Sequence, residues 1–345
     1  MELEEAQKLW QPEPGWLNTA SYGLPPEPAW VALQEALADW RVGRISWEGW
    51  GEAAERARTA FAGLVEVAPA DVTIGSTASQ LIAPVAAALP AGATVVVPEV
   101  EFTSNLFPWL VQQARGVQVR TVPLAGLVDA IDGDTDLVAF SLVQSADGTV
   151  APYDEIVAAA RAHDALVAVD ATQACGWLPF DAGRADVVAV SAYKWLMAPR
   201  GAAFAYLAPA LRERLRPDAA GWYAGQDPHA SYYGPPLRLA EDARRFDISP
   251  AWFSYVGAAP ALELLAEVGL PAVRDHDVAL ANRFLAGLGR PPGDSAIVTV
   301  EVPDAQEKLQ RAGVRAAVRA GRVRASFHLY STEEDVDLAL AALTG

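Results

Sequence analysis

The stretch Asp186-Val-Val-Ala-Val-Ser-Ala-Tyr-Lys-Trp195 constrains this chain most. Four consecutive apolar residues, Val187 to Val190, lie between an aspartate and a serine. A run that is apolar on both alternating faces suits a strand covered on both sides, as in a parallel α/β sheet. Such a strand delivers Ser191, Tyr193 and Lys194 to its carboxyl end, where ligands sit in open parallel sheets. Tyr193 and Trp195 flank Lys194, and desolvation lowers a lysine pKa until the amine is a usable nucleophile. A strand-end lysine that snorkels to solvent is the plain alternative.

A second run, Ala165-Leu-Val-Ala-Val-Asp170, ends in a carboxylate, and Gln173 follows. Asp, Gln, Ser and Lys thus all fall at the ends of consecutive expected strands. Pyridoxal phosphate needs this set: a lysine for its aldehyde and an acid to keep its ring nitrogen protonated. It also takes a donor near its phenolate oxygen and hydroxyls for its phosphate. Lys194, Asp170, Gln173 and Ser191 match those roles.

Asp170-Ala-Thr-Gln173 followed by Ser191-Ala-Tyr-Lys194 resembles the core of the class V aminotransferases, a group that includes cysteine desulfurases, kynureninases and isopenicillin N epimerase-like proteins. The resemblance covers nearly the whole chain. It implies an α/β fold, the fold type I of pyridoxal-phosphate transferases: a large domain with a mostly parallel seven-stranded sheet and a small α+β C-terminal domain. On that pattern residues 1–14 form an N-terminal segment associated with the small domain, 15–266 the large cofactor-binding domain and 267–345 the small domain.

Composition excludes other classes. A formal net charge of −17 repels nucleic acid and anionic membrane. The single cysteine, Cys175, allows no intrachain disulfide and fits a reducing cytoplasm. The acidic start, Met1-Glu-Leu-Glu-Glu5, does not read as a signal peptide. No metal-ligand motif stands out.

In chain order, a short helix over 1–14 precedes the loop Leu17 to Pro25, in which the resemblance places Asn18 near the substrate; a plain proline-bounded turn is the equal alternative. Helices are expected at Pro28–Trp40 and Glu52–Val65, with an aromatic loop, Arg44 to Trp50, between them. Trp47 and Trp50 suit either a substrate pocket or a packed subunit interface, and the tendency of tryptophan to pack favours the interface. Val72 to Gln80 reads as a strand, a turn and a helix start, which suits a phosphate. The resemblance assigns Ser76, Thr77 and Ala78 to that phosphate; simple helix capping is the alternative. After a strand at Ala93–Val97, Phe102 stands where most cysteine desulfurases carry a histidine against the cofactor ring. An aromatic face can stack but cannot carry protons, which weighs against a desulfurase. Ser145 stands where many relatives have asparagine, and Tyr193 where the pattern has histidine. Further strands are expected at Leu137–Val143 and Ala165–Val169, with a helix at Asp154–Ala162. Cys175 reads as a buried small residue.

Gly221 to Tyr233 resembles the family's variable substrate-side insertion. Ser249 takes the place of a threonine that reaches the cofactor phosphate of a neighbouring subunit, which implies a homodimer with shared active sites. The small domain is expected to hold helices at Val273–Leu288, Ala305–Ala312 and Thr332–Leu343, and strands at Ala296–Val302 and Val323–Phe327. Arg324 matches the family arginine that clamps the substrate carboxylate, although strand alternation puts Arg322 on the same face. Thr332 with Asp335 reads as a helix cap, and His328 as packing with no visible partner. The expected activity is an amino-acid transformation through an external aldimine and Cα deprotonation by Lys194, with transamination first. Carbon–sulfur β-elimination and epimerisation share the same early path. The rival is a non-catalytic scaffold, and the presence of both Lys194 and Asp170 speaks against it.

Overall fold

A computed structural model describes residues 1–319 and 321–345. The strands are β1 (Val72–Gly75), β2 (Thr94–Pro98), β3 (Gln118–Val122), β4 (Leu137–Ser141), β5 (Leu166–Asp170), β6 (Val187–Ser191), β7 (Ala203–Leu207), β8 (Ile297–Val300), β9 (Ala317–Arg319) and β10 (Arg322–Ser326). Seven form one sheet in the order β1-β7-β6-β5-β4-β2-β3. Only β7 runs against its neighbours. The mostly parallel sheet implied by the resemblance is present.

Burial on both faces explains the unbroken apolar runs. Val138, Phe140, Val167 and Val169 face one hydrophobic core, whereas Leu137, Ala139 and Ala168 face the other. Each alternate side chain therefore leaves water, which is the main stabilising term for such strands. Helices Ala78–Ala88, Thr103–Leu110 and Tyr153–Ala162 cover the sheet between strands. The parallel connections bring the carboxyl ends of β1, β2, β4, β5 and β6 to one edge.

The smaller sheet is antiparallel, in the order β8-β10-β9. Helices Leu270–Gly287 and Glu333–Thr344 close its core through Leu280, Phe284, Val336 and Ala339. Thr332 and Asp335 form a capping box at the start of the last helix, as the sequence implies. Residues near Asn18 run beside β10: Ser326 N donates to the Leu17 carbonyl at 3.0 Å.

Several expectations change. The first helix covers only Leu3–Gln7. The aromatic loop is instead the opening of helix Trp47–Leu64. A spacing of three puts Trp47 and Trp50 on one helical face, and both pack on Trp252, with ring centroids 5.9 and 6.4 Å away. Trp222 and Tyr223 also pack on Trp47, so this part of Gly221–Tyr233 belongs to that cluster and not to the Lys194 cleft of its own chain.

Candidate active site

The sheet register gathers the expected side chains. Asp170 is level with Ser141 of β4 on one side and with Ala189 of β6 on the other. Two residues further along β6 come Ser191 and then the turn that carries Lys194. One cleft is lined by Ala78, Phe102, Ser145, Asp170, Gln173, Ser191, Tyr193 and Lys194, all expected from the sequence, together with Ser104, Ser141 and Thr172.

Lys194 is 6% exposed, and its ammonium lies 5.5 Å from the Phe102 ring centroid and 5.8 Å from that of Tyr193. Burial pushes its pKa down to about 8; Asp170 opposes the fall and Arg324 adds to it. Asp170 is buried, accepts from Thr172 N at 2.9 Å, and is pushed above the usual carboxylate range by that burial. An amine with a depressed pKa beside a buried carboxylate is an arrangement suited to proton transfer.

The turn after β1 differs in detail from the expectation. The Ser76 N–H donates to Gln80 Oε1 at 2.8 Å, and the Ala78 N–H donates to Ser191 Oγ at 3.0 Å. Both backbone donors are thus engaged by side chains. Thr77 is exposed and caps helix Ala78–Ala88 by accepting from Gln80 N at 3.2 Å. Ser249 is exposed and lies outside the Lys194 cleft of its own chain.

Gln173 is not a free donor. Its amide Nε2 donates to the Ala20 carbonyl and to Ser145 Oγ, both at 3.0 Å, and its Oε1 accepts from Trp195 Nε1 at 2.8 Å. The two amide hydrogens are taken, so Gln173 acts as a bracket between three segments.

Arg324 is 1% exposed, whereas Arg322 is exposed and pairs with Glu301 at 2.9 Å. Arg324 donates to the Ser145 carbonyl, to Ser145 Oγ at 3.2 Å and to Ser21 Oγ at 3.0 Å. Its Nε is buried with no partner among the described residues, as is Asn18 Oδ1. Burial first, and then Arg319, pull the guanidinium pKa down to about 10.

Three groups escaped the sequence reading. Ser21 lies in the Asn18 stretch but was not singled out. Glu101, next to Phe102, is buried and accepts from Ser141 N and Oγ at 2.7 Å, Gln144 Nε2 at 2.8 Å and Asn105 Nδ2 at 2.9 Å. It ties the Phe102 loop to the end of β4; the only signal was a carboxylate just after an apolar run. His328, read as unpartnered packing, is bonded to Asp277 at 3.0 Å and to the Trp195 carbonyl at 2.9 Å.

The sequence profile of the aminotransferase class-V family matches residues 48–309. The chain belongs to the class-V aminotransferase family. Pyridoxal phosphate is the cofactor of that family and so of this chain. The donor set fits it: a buried amine, a buried carboxylate on the adjacent strand, hydroxyls at a helix N-terminus and an aromatic face. The chain is 28% identical to the uncharacterized aminotransferase YcbU of Bacillus subtilis (strain 168), over 94% of this chain and 92% of the relative. It is 30% identical to isopenicillin N epimerase of Streptomyces clavuligerus, over 84% of each. It is 27% identical to a probable cysteine desulfurase of Methanothermobacter thermautotrophicus, over 82% and 81%. Among solved structures, the cystine C-S lyase C-DES in complex with cysteine persulfide superposes with a TM-score of 0.86 at 23% identity, covering 96% of this chain and 97% of that one. That likeness speaks to the fold, which is the fold type I of pyridoxal-phosphate enzymes. The chain is an enzyme of amino-acid chemistry.

Proposed function

We propose that the chain is an aminotransferase, with its cofactor held in the Lys194 cleft. The observation that carries this reading is the pairing of two groups. Lys194 is buried beside Asp170, and Arg324 is a buried guanidinium with no carboxylate among its described partners. Bound pyridoxal phosphate supplies an electron sink for the pair left when the substrate Cα loses its proton. Lys194 holds the cofactor and then moves that proton; a pKa of about 8 suits a base working near neutral pH. Asp170 keeps the ring nitrogen protonated. Ser76, Thr77, Ala78, Ser191 and Tyr193 hold the phosphate, and Phe102 covers a ring face. Arg324 takes the substrate carboxylate through two parallel charge-assisted bonds, with Ser145 and Asn18 beside it.

The exposure of Ser249 supports its serving the phosphate of a second copy, so the working unit is a homodimer with shared sites. The charge of −17 supports a free amino acid, not nucleic acid or a membrane, as partner. The one buried cysteine supports a cytoplasmic setting.

Transfer is favoured over elimination by the proton carriers. Phe102 puts no proton carrier on the ring face it covers, which supports transfer, while Lys194, Asp170 and Tyr193 are the titratable groups among the described residues of the cleft. A second reading, carbon–sulfur lyase, is supported by the burial of Cys175: with its thiol out of reach, sulfur chemistry here would be elimination without persulfide transfer. Single-turnover measurements on the holoprotein, with a panel of amino acids and no acceptor, separate the two. An aminotransferase releases one equivalent of 2-oxo acid per site and no ammonia. Continuous release of ammonia from cystine or cysteine would replace this reading with the lyase.

A further inference from the structure

His328 is fully buried and both of its ring nitrogens are engaged. Nδ1 faces Asp277 Oδ2 at 3.0 Å, and Nε2 faces the Trp195 carbonyl at 2.9 Å. A carbonyl can only accept, so Nε2 is the donor there. His328 and Asp277 are both 0% exposed. Burying a carboxylate opposes folding unless it is paired, so this contact persists against a desolvation penalty.

Trp195 directly follows Lys194. Gly176, at φ +117°, closes on the same carbonyl from another side; a Cβ there would stand 2.5 Å from the oxygen. The Trp195 indole donates to Gln173 at 2.8 Å, Gln173 donates to Ser145 Oγ at 3.0 Å, and Arg324 donates to that same oxygen at 3.2 Å. Arg324 lies in β10, and His328 lies two residues beyond its end. One strand and its continuation therefore grip Trp195 twice, at the carbonyl through His328 and at the indole through Gln173 and Ser145.

We propose that His328 is a positioning residue that sets the spacing between Lys194 and Arg324, and through it the recognition of a substrate carboxylate. Lys194 comes from the large sheet and Arg324 from the small one, so no shared strand fixes their separation. The amine and carboxylate of an α-amino acid sit on one carbon, which leaves little tolerance in that spacing. A displacement of about 1 Å at such a site costs on the order of 100-fold. The proposal rests on Arg324 being the carboxylate site.

The test uses two probes that displace Lys194 from the cofactor without turnover: aminooxyacetate, which has a carboxylate, and methoxyamine, which has none. Loss of the visible band of the holoenzyme gives the rate for each, and their ratio reads carboxylate recognition. Wild type should prefer aminooxyacetate, and Arg324→Ala should lose that preference. His328→Phe should keep the visible band but lose roughly ten- to a hundredfold of the preference. The double variant Asp277→Asn/His328→Gln, in which two amides can restore the chain of bonds to Trp195, should recover most of it. A role confined to stability would lower the unfolding temperature and leave the ratio alone, and that outcome overturns the proposal. If His328→Phe gives no folded protein, His328→Met, which fills the space but has no donor for the Trp195 carbonyl, is read in the same way: its ratio must fall, and an unchanged ratio overturns the proposal. An unchanged ratio in Arg324→Ala overturns the reading of Arg324 and this proposal with it, whereas an unchanged ratio in the His328 variant alone overturns only this one.

Discussion

Arg324 bonds Ser145 twice, through its carbonyl and through its hydroxyl at 3.2 Å, and neither contact neutralises the guanidinium. Burial leaves that charge poorly solvated, with a pKa of about 10, so an incoming carboxylate meets little competition from water. Arg324→Ala should weaken binding of an amino acid by about 2–4 kcal/mol and that of its decarboxylated amine far less. Arg324→Lys should recover little, because an ammonium cannot copy the paired bonds. Arg322→Ala, which removes an exposed pair with Glu301, should change neither. Spectroscopic titrations with matched acid and amine check all three.

Lys194 makes the stability of the apoprotein depend on pH. Its folded pKa of about 8 lies below the ordinary 10.5. Between those values the unfolded chain binds the extra proton, so stability rises with pH across that window. Below about pH 8 the charged, buried amine destabilises the fold by up to about 3 kcal/mol. Lys194→Met apoprotein should therefore unfold at higher urea than wild type at pH 7, and the gap should narrow toward pH 10.5. Urea midpoints measured across that range give the slope; a gap that widened with pH would contradict the assignment.

Arg58 and Asp247 form a buried ion pair at 2.6 Å, with side chains 2% and 1% exposed. Asp247 also accepts from Thr73 Oγ1 and Ile74 N, both at 2.9 Å, which pins the segment before Ser249 to β1. Asp247→Ala leaves the buried guanidinium with the half-exposed Glu55 as its remaining carboxylate partner and Ile74 N without its acceptor, and should cost about 3 kcal/mol in urea unfolding. Replacing both partners by apolar residues should recover only part, because Ile74 N still loses its acceptor.

Cys175 is buried, and burial pushes its thiol above the ordinary range, so it is held as the unreactive thiol. Cys175→Ala should lose about 1 kcal/mol of stability and leave turnover within a few-fold. Mass spectrometry after incubation with cysteine should find no persulfide on the wild type; a persulfide on Cys175 would restore the desulfurase reading.

The strand ends were legible without coordinates. Short apolar runs closed by Asp170 and Ser191 admit few states other than buried parallel strands, and strands of that kind must present their last residues at one edge. The strands that escaped notice have other causes. β3 lies at the sheet edge with no fully buried residue, and its Gln118-Val-Arg-Thr-Val122 pattern carries too few apolar residues to stand out. β7 is fully buried, but it follows Lys194 after a turn and runs antiparallel, outside the strand-helix alternation that marks its neighbours.

Local sequence determined which residue types reach the site; only tertiary structure decided which of two equivalent residues does so. Arg322 and Arg324 share a strand face by alternation, yet one is exposed and the other is 1% exposed. Arg324 is paired with Thr299 on one side and Ala317 on the other, mid-sheet, and its guanidinium runs in under Ser145. Arg322 sits at the strand's start against Glu301. His328 likewise had no partner in its own stretch: Asp277 is 51 residues away along the chain, and Trp195 is 133. Burial and hydrogen bonding are properties of neighbours in space, and a one-dimensional pattern carries them only where the neighbours are also close along the chain.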